Sequence, residues 1–546
     1  MIEHLHRTKQ GENKDHRYLG KETQNEIIHF VGSSITNNIL LMMKSAKYYS
    51  IILDCTTDIS KVEQMTVVVR FVQETRLDGV YDVRIREHFM GFLPVPDSSS
   101  SILTQVVLKF LQDKKILLCN MRGQGYDNGA NMKGKKSGLQ KRISDMNKRA
   151  FYVPCSSHSW NLVVNDAAMS PKYAVSVFSA VKSLYDVFSS SVRRWDVLKK
   201  YLPNLSLKPL SDTRLESRID RLTPLRFQIG CVYDSLVQIS EEFDGMTAHE
   251  ATSLANEIKN YTFLTSLLIW YDVLLHISVV SKTLQTIDIN VSEAVEVLEK
   301  KKAYFETCRT EEKFVSFLTG SKELATELEL EDITLPRISV SWRRSKKPIH
   351  FTYEGRDETI DEPTKRYKSE FYYYLLDMVT TSLDEKFDQL KSHCDYFDFR
   401  YDIGELKNPP PDSLDTKCRN LAAILQDHES SDIDALELRE ELKELSTLVK
   451  PGIGPRETLK FVGRHNFFPY VNIALRILLT LPVIVASGKR SFSKLKMIKT
   501  YRSTMSQTRL NDLATISIDH ELAEDLNYTD RVKEFAQAKV RMVRFV

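Results

Sequence analysis

The hydrophobic and polar positions alternate between two patterns in the first third of the chain. Short apolar, β-branched runs predict four strands, at residues 48–53, 67–72, 83–89 and 116–119. Apolar residues at helical spacing predict helices before, between and after them, at about 26–44, 98–111, 138–148 and 159–169. The first third of the chain is therefore expected to be an α/β region.

The order of these elements predicts how the strands are arranged. Three strands joined by short turns, then a helix and a fourth strand, are the order of an RNase H-like core, in which the first and fourth strands are neighbours. Asp54 follows the first strand, and Asp127 follows the fourth. The two carboxylates would meet, and hard divalent cations such as Mg²⁺ and Mn²⁺ prefer carboxylate ligands. The alternative is that both residues only cap turns.

The pattern changes between about Leu225 and Val449, where long helical segments replace the strand signals. We therefore predict a mainly helical chain in which a large all-α insertion splits the α/β core. The expected divisions are 1–45 for a polar tail and leading helix, 46–225 for the first part of the core, 226–460 for the insertion and 461–546 for the rest of the core.

Composition excludes several classes of protein. The 546 residues carry 76 Lys and Arg against 73 Asp and Glu, so the net charge is only +3. The seven cysteines are scattered and never form a C-x-x-C pair, which is typical of a reducing compartment. There is no signal peptide, and the most apolar stretch, 473–486, is too short to cross a bilayer. We expect a soluble intracellular protein with no membrane partner.

One segment departs from this balanced charge. Residues 458–511 contain ten Lys and Arg but no Asp or Glu. Phosphate would explain the segregation, because basic side chains gain affinity by releasing the counterions condensed on nucleic acid. Alternatively, these cations face acidic helices of the insertion. A second basic cluster, 343–347, fits a localisation signal, a nucleic-acid patch or an exposed loop.

Two metal-ligand residue types stand near the start of a predicted helix. Cys155 and His158 have C-x-x-H spacing. Zinc requires two more ligands, and none stands nearby in the sequence. A buried cysteine and a hydrogen-bonded histidine are the simpler interpretation.

Five stretches together resemble the hAT superfamily of DNA transposases. They read YYSIILDCTTDISKVEQ (48–64), RGQGYDNGANMKGK (122–135), PCSSHSWNLVV (154–164), LSDTRLESRID (210–220) and LTLPVIVASGKRSFSKLKMIKTYRSTMSQTRLNDLATISI (479–518). They are most similar to the branch that carries TTF-type zinc fingers and to its zinc-finger MYM-type relatives. The resemblance extends over nearly the whole chain, from about Arg17.

The resemblance implies an RNase H-like domain that excises and reinserts DNA with a triad of acids and Mg²⁺ or Mn²⁺. Asp54 matches the first acid and Asp127 the second, with Asp58 as a reserve for the first position. Cys155 and His158 match the C-x-x-H motif of the family. The resemblance also implies dimerisation through the C-terminal segment and a nuclear location.

The chain departs from the family pattern at several places. The third acid belongs in A-S-G-E-R-S-F-S, where this chain has Lys489. Its ammonium cannot ligate a cation, and we expect it to pair with both aspartates in place of the metal. The T-R-W motif reads Thr213-Arg214-Leu215 and has lost an aromatic residue expected to stack on DNA. The K-T-Y-L-R-S-T-M motif is one residue short at 499–505, and the expected N-terminal zinc finger is not found in the sequence.

We therefore interpret the protein as a transposase-derived, catalytically inactive protein that retains dimerisation and weak, non-specific DNA binding. The residues expected to contact DNA are Arg214, Leu215, Arg490, Lys494, Lys496, Lys499 and Arg502. One alternative is a residual metal-dependent transposase or nuclease that uses Asp54, Asp127 and an unidentified acid. Another is a scaffold that binds proteins through its helical insertion and never touches DNA.

Overall fold

A computed structural model describes residues 20–77, 80–127, 129–169, 172–202, 207–208, 215–243, 245–286, 289–335, 362–397, 403, 411–427, 430–502 and 504–538. These residues form helices and one mixed five-stranded sheet. They divide into two compact units, the first within 1–156, 285–294 and 389–546 and the second within 157–284 and 295–388. The predicted mainly helical α/β class is confirmed, whereas an insertion bounded by 226–460 stays a prediction.

The helices are, in chain order, α1 Lys21–Ala46, α2 Ser100–Asp113, α3 Ala130–Lys133, α4 Leu139–Met146, α5 Ser156–Met169, α6 Lys172–Ser189, α7 Val192–Tyr201, α8 Leu215–Phe227, α9 Ile229–Glu242, α10 Met246–Ile258, α11 Tyr261–Leu284, α12 Val291–Thr307, α13 Glu311–Glu327, α14 Pro363–Tyr367, α15 Tyr374–Phe397, α16 Pro411–Ile424, α17 Ala435–Leu448, α18 Pro455–His465, α19 Pro469–Thr480, α20 Ala486–Tyr501, α21 Gln507–Ile518, α22 His520–Glu524 and α23 Tyr528–Ala538. A π-helical turn, Lys368–Tyr373, joins α14 to α15.

The sheet lies in the first unit and contains β1 Tyr49–Thr57, β2 Glu63–Leu77, β3 Val80–Val95, β4 Met121–Tyr126 and β5 Phe151–Pro154. The strand order is β3-β2-β1-β4-β5. β1 and β3 each pair with β2 in antiparallel fashion, while β4 is parallel to both β1 and β5. The first and fourth strands are therefore neighbours, as the order of the elements predicts. A separate short hairpin joins β6 Gln426–Asp427 to β7 Ser430–Ser431.

The fourth strand begins later than the sequence pattern predicts. Leu118–Asn120 form a 3₁₀ turn, and β4 starts at Met121. No apolar run marks this strand, because one of its faces consists of glycines that pack against Pro482. A Cβ atom at Gly125 would lie 2.8 Å from Pro482 Cγ, and one at Gly123 would lie 3.0 Å from Pro482 Cδ.

The other face of β4 is polar and yet buried. Arg122 donates from Nε and Nη2 to the two carboxylate oxygens of Asp432, at 2.8 and 2.7 Å. Gln124 donates from Nε2 to the carbonyl of Ala150 at 2.9 Å. These pairings compensate for the loss of hydration, so a strand without an apolar run can still be central in the sheet.

Both faces of the sheet are covered within the first unit. On one face, Leu53 of β1 is buried in a cluster with Ile39 of α1 and Val107 of α2. On the other face, Ile52 is buried with Val485, which immediately precedes α20. Burial of each such side chain contributes about 1.5–3 kcal/mol. This second face is the one that carries the candidate site.

The described residues of the second unit contain helices and the π-helical turn but no strand. Its helix α11 is long and apolar enough to cross a membrane by length and composition alone, and 72% of its most apolar window is buried inside the protein. A helix that is apolar on all sides is typical of a protein core. α11 is a longer apolar stretch than 473–486, which the sequence pattern singled out.

Candidate functional site

Two carboxylates stand at the carboxyl ends of neighbouring strands. In the parallel pair of β1 and β4, Ile52 lies opposite Gly125. Asp54 and Asp127 each follow two residues later, so by strand alternation they leave the sheet on the same face. Asp127 Oδ1 accepts a hydrogen bond from the backbone N–H of Gly129 at 3.1 Å. The structure therefore brings the two predicted acids together.

Asp54 is nearly buried, with 8% of its surface exposed. Burial raises the pKa of its carboxyl to about 6, and the negative charge of Asp127 acts in the same direction. The positive charge of Lys489 and the backbone N–H of Cys55, which donates to Oδ1 at 3.1 Å, act to lower this pKa. The carboxyl of Asp54 is therefore partly protonated in mildly acidic solution.

Helix α20 places its first turn over Asp54. A Cβ atom at Gly488 would lie 3.3 Å from Asp54 Cβ and 3.2 Å from Thr66 Cγ2, so the helix approaches through the bare backbone of a glycine. The Ser491 and Thr66 hydroxyls lie 2.8 Å apart and fasten the same turn to β2. Lys489 follows Gly488, is partly buried and acts on Asp54 through its charge.

The position of Lys489 differs in one respect from the expectation. Among the described residues, neither Asp54 nor Asp127 forms a direct ion pair with Lys489, although its charge lowers the pKa of Asp54. The reason is geometric, because the helix meets Asp54 at Gly488, and the next side chain points about 100° further around the axis. Lys489 is thus a nearby cation and not a bonded substitute for the metal.

A different lysine of α20 forms the buried ion pair. Lys499 Nζ lies 3.2 Å from Asp58 Oδ2, and the two side chains are only 7% and 1% exposed. Asp58 Oδ1 also accepts hydrogen bonds from the backbone N–H groups of Ser60 and Val62, at 2.8 and 3.1 Å. Burial acts to raise the pKa of Asp58. These hydrogen bonds and the charge of Lys499 outweigh burial, so this pKa is lowered.

This pair corrects two sequence expectations. Asp58, the reserve for the first acid, is neutralised within the fold. The prediction that Lys499 contacts DNA is wrong, because its ammonium is buried against Asp58 and cannot reach a phosphate.

Sequence reasoning missed a third buried carboxylate beside α20. Glu87 on β3 accepts a hydrogen bond from the Ser487 hydroxyl, and its Oε1 lies 2.7 Å from Arg70 Nη1, with both ion-pair side chains 2% exposed. The alternating charges of residues 84–88 resemble a solvated strand face and conceal it. A signal existed in Arg70, since a cation inside the apolar run 67–72 requires a buried partner. Because Arg70 neutralises it, Glu87 does not supply a free third acid.

Two stretches of the chain match known protein families. Residues 3–138 match the family described as "ZMYM1/FAM200, RNase-like domain", which here includes Asp54 and Asp127. Residues 440–522 match the "hAT family C-terminal dimerisation region", which includes Lys489. Two separate stretches of this chain are therefore similar to hAT-derived proteins.

Curated proteins of human and mouse match along most of the chain. It is 23% identical over 544 residues to the "52 kDa repressor of the inhibitor of the protein kinase" of Homo sapiens, an overlap of 93% of this chain and 66% of that protein. The Mus musculus protein of the same name is 23% identical over 545 residues, with 93% and 67% covered. The chain thus spans about two thirds of the length of these relatives.

The hAT resemblance implies Mg²⁺ or Mn²⁺, and the residues at the site do not fit the two-metal arrangement. Asp54 and Asp127 are two carboxylates where paired cations need at least a third. The described part of the chain contains no group of three or more His, Cys, Asp or Glu residues placed to hold a metal ion. Lys489 adds a positive charge that repels a cation.

Four of the basic residues expected to contact DNA lie within α20 or, for Arg502, immediately after it. Arg490, Lys496 and Arg502 are exposed, and Lys494 is partly buried. Within the described residues none of these four has an ion-pair partner, in contrast to Lys499. They are the cations of this helix region that remain available to an anionic partner.

Two apolar residues missed by sequence reasoning lie on the same side of α20 as Arg490 and Lys494. Met497 is 46% exposed and Tyr501 is 85% exposed. They follow Arg490 and Lys494 at helical spacing, so the four side chains form one stripe along α20. The stripe combines charge with an aromatic surface on which a base or a protein side chain can stack.

Other members of the acid-free segment neutralise acids of the five-stranded sheet. Lys460 Nζ lies 3.6 Å from Asp82 Oδ1, and Arg476 Nε lies 3.4 Å from Glu74 Oε2. The acids that these two cations face lie on strands β3 and β2, and not on helices of the insertion as the alternative expected.

The remaining candidates are placed as follows. Arg214 lies outside the described residues, and Leu215 begins α8, with its side chain also outside them. Cys155 is buried, with 1% exposed, in the cluster around Ile52, and His158 lies in the first turn of α5. The burial of Cys155 fits the simpler interpretation of this pair, in which the cysteine is a buried residue of the fold.

Proposed function

We propose that this chain is a catalytically inactive hAT-derived protein that self-associates through its C-terminal region and binds DNA without sequence preference. One observation carries the proposal of inactivity. Asp54 and Asp127 lie together at the strand ends, and the helix over them presents Lys489 where the family pattern has glutamate. A site with two carboxylates and a lysine cannot hold the paired cations that stabilise attacking and leaving oxygens.

Self-association is proposed from the matched dimerisation region and from its surface. Within residues 440–522, Phe467 is 76% exposed and Tyr501 is 85% exposed. Large exposed aromatic side chains are enriched at protein interfaces because they bury much area at little entropic cost. A second copy of the chain is the partner that the matched family description suggests.

DNA binding is proposed from the unpaired cations of α20 and from Arg502, which follows this helix. Arg490, Lys494, Lys496 and Arg502 are placed to contact phosphates, which position a protein on DNA but carry no sequence information. The affinity should therefore be weak, independent of sequence and steeply dependent on salt.

The architecture and the cellular location are proposed by the same comparison. We assign the helical second unit, within 157–284 and 295–388, to the all-α insertion of hAT proteins, a range that differs from the expected 226–460. The curated relatives are named as repressors. We place this protein in the nucleus, where a DNA-binding descendant of a transposase would act.

Two measurements on the purified chain test the proposal. Light scattering should give the mass of a dimer, and fluorescence anisotropy with two unrelated duplexes should give equal affinities that fall steeply with salt. A monomer at all accessible concentrations would contradict self-association, and a preference between the duplexes of more than about tenfold, or about 1.4 kcal/mol, would contradict non-specific binding.

A second candidate function is a protein-binding scaffold that does not touch DNA. It is favoured by the three cations of the acid-free segment that already neutralise acids of the fold, Lys460, Arg476 and Lys499. Absence of DNA binding at low salt, with the dimer intact, would decide for the scaffold.

A further inference from the structure

Three consecutive lysines on α12 have three different environments. Lys300 is 75% exposed and pairs with Glu296, one turn earlier on the helix. Lys302 Nζ lies 2.6 Å from Asp384 Oδ2. Lys301, between them, has no carboxylate within ion-pair distance among the described residues, and its Nζ instead lies 3.2 Å from His276 Nδ1.

Aromatic rings define the rest of this site. The Lys301 Nζ atom lies 4.7 Å from the centre of the Tyr304 ring. The His276 ring packs on the same Tyr304 ring, with 4.1 Å between centroids and 42° between planes. Tyr304 therefore orients the imidazole, and the amine is held between the imidazole and the phenol ring. A nucleophile within hydrogen-bond reach of a base that a third group orients is the arrangement of an activated nucleophile.

Burial of the Lys301 side chain favours a neutral amine at this site. Burial lowers the pKa of Lys301, and the nearby Cys308 and Asp272 oppose this only in part. Burial also lowers the pKa of His276, to which the charges of Lys301 and Lys313 contribute while Asp272 opposes. Asp272 is itself occupied by Lys313, at 3.2 Å.

The neighbouring lysine provides the contrast. The hydrogen bond to Asp384 raises the pKa of Lys302. Of these two adjacent amines on one helix, Lys302 is therefore held as an ammonium by a carboxylate. Lys301 loses its proton more readily. Lys301 and His276 are both partly exposed, so a small reagent can approach them.

We propose that Lys301 is an acylation site that reacts directly with small acyl thioesters. The neutral Nζ attacks the thioester carbonyl carbon, the C–N bond forms, and the C–S bond breaks with departure of the thiolate. His276 Nδ1 accepts the proton lost by the amine, and the thiolate recovers a proton from the imidazolium or from water. The products are an amide at Lys301 and a free thiol, and no oxidant or reductant is required.

The direct test uses the full chain and acetyl-coenzyme A at neutral pH. A glutamate-specific protease cleaves after Glu299 and Glu306, so residues 300–306 form one peptide in which fragment ions locate the acetyl group on each of the three lysines. Acetylation of Lys301 should be faster than acetylation of Lys300 and Lys302. The rate should rise about tenfold for each unit by which the pKa of Lys301 lies below theirs, because the fraction of neutral amine rises by that factor. Equal acetylation of the three lysines, or faster reaction at the more exposed Lys300, would overturn the proposal.

Two further arms separate the site from the local sequence. In concentrated urea the preference for Lys301 should vanish, and a preference that persisted would show that the fold does not create it. His276→Gln should slow acetylation at Lys301 to the rate of Lys300, whereas His249→Gln, at an exposed position of the same unit, should change nothing. Tyr304→Phe keeps the ring and should preserve the preference. If circular dichroism shows that His276→Gln does not fold, the wild-type comparison of three lysines still decides.

Discussion

Gly488 of helix α20 lies directly against Asp54 of strand β1, so that a Cβ atom at position 488 would stand 3.3 Å from the Asp54 Cβ atom. This contact seats the helix on the edge of the sheet where the two strand-end carboxylates meet. It also sets the neighbouring Lys489 beside them, at the position where the family pattern has an acid. The pKa of Asp54 therefore depends on this contact and on the charge of Lys489.

The pH dependence of stability should carry the signature of Asp54. Its folded pKa of about 6 lies above the ordinary value of 3.8, so the folded protein binds the proton more tightly than the unfolded chain does. Stability should therefore fall as the pH rises between about 4 and about 6, by about 3 kcal/mol from this group. Urea titrations across this range, for wild type and Asp54→Asn, isolate the contribution, because the amide resembles the protonated acid and does not titrate.

The control for this prediction is Asp97→Asn, at an exposed position. Relative to wild type, Asp54→Asn should gain stability as the pH approaches neutrality, and Asp97→Asn should follow wild type throughout. Parallel curves for all three proteins would mean that Asp54 is not held in the buried environment described here.

The lysines of α20 should divide sharply by their effect on stability. Lys499→Met leaves the buried carboxylate of Asp58 without its cation and should cost about 3 kcal/mol, as for other broken buried pairs. Lys496→Met, three residues earlier and exposed, should lie within about 0.5 kcal/mol of wild type. Denaturant unfolding of the two variants checks this. Equal and small effects would show that Lys499 contributes nothing to the fold.

The glycine face of β4 gives a test of the sheet packing. Gly125→Ala puts a methyl group 2.8 Å from the Pro482 ring, which cannot rotate away, and should destabilise the protein by about 1–3 kcal/mol. Gly320→Ala is the contrast, since its only close neighbour is the flexible end of Leu268, at 3.2 Å, and alanine is the better helix former. Thermal melts should move in opposite directions, and a neutral Gly125→Ala would contradict the close approach of Pro482.

Local patterns were sufficient to predict the parts of the fold that depend on them. The order of strands and helices predicted that the first and fourth strands are neighbours, and the apolar run before Asp54 matches β1. The apolar pattern predicts the fourth strand at 116–119, whereas β4 is Met121–Tyr126. The pattern fails here because the residues of β4 contact partners that are distant in sequence. Gly125 leaves space for Pro482, and Arg122 forms an ion pair with Asp432. Hydrophobic periodicity contains no information about such partners.

The candidate site shows the same division. Strand-end position and motif spacing were enough to select Asp54 and Asp127. They did not show that Lys499 is paired with Asp58 or that Glu87 is paired with Arg70, because an ion pair depends on which elements pack together. The acid-free segment 458–511 therefore contains both cations that pair with acids of the fold and cations without such a partner among the described residues.

The free cations should set the salt dependence of DNA binding. Replacing Arg490, Lys494 and Lys496 together by Gln should reduce the slope of log affinity against log salt by about 0.9 for each lost phosphate contact. Anisotropy titrations at several salt concentrations measure the slope. The control replaces Lys300 by Gln, since Lys300 is exposed and lies in the second unit. A slope unchanged in the triple variant would assign these residues to protein contacts.

Restoring the third acid should restore part of the chemistry. Lys489→Glu removes the repulsive ammonium and completes a set of three carboxylates, so it should bind Mn²⁺ where wild type does not, measured by calorimetry. Adding Leu215→Trp should raise nicking of supplied DNA above the single variant, since an aromatic ring stacks on a displaced base with about 1–3 kcal/mol. Asp54→Asn in the Lys489→Glu background is the control that should abolish both.

The most direct test of the account is a nicking assay on supercoiled DNA at low salt, with and without Mn²⁺, using the wild-type chain beside Lys489→Glu. The account predicts no cleavage by wild type in either condition and Mn²⁺-dependent nicks from Lys489→Glu. Robust Mn²⁺-dependent cleavage by the wild-type chain that is lost in Asp54→Asn would contradict it, because Lys489 would then not occupy the place of an essential acid.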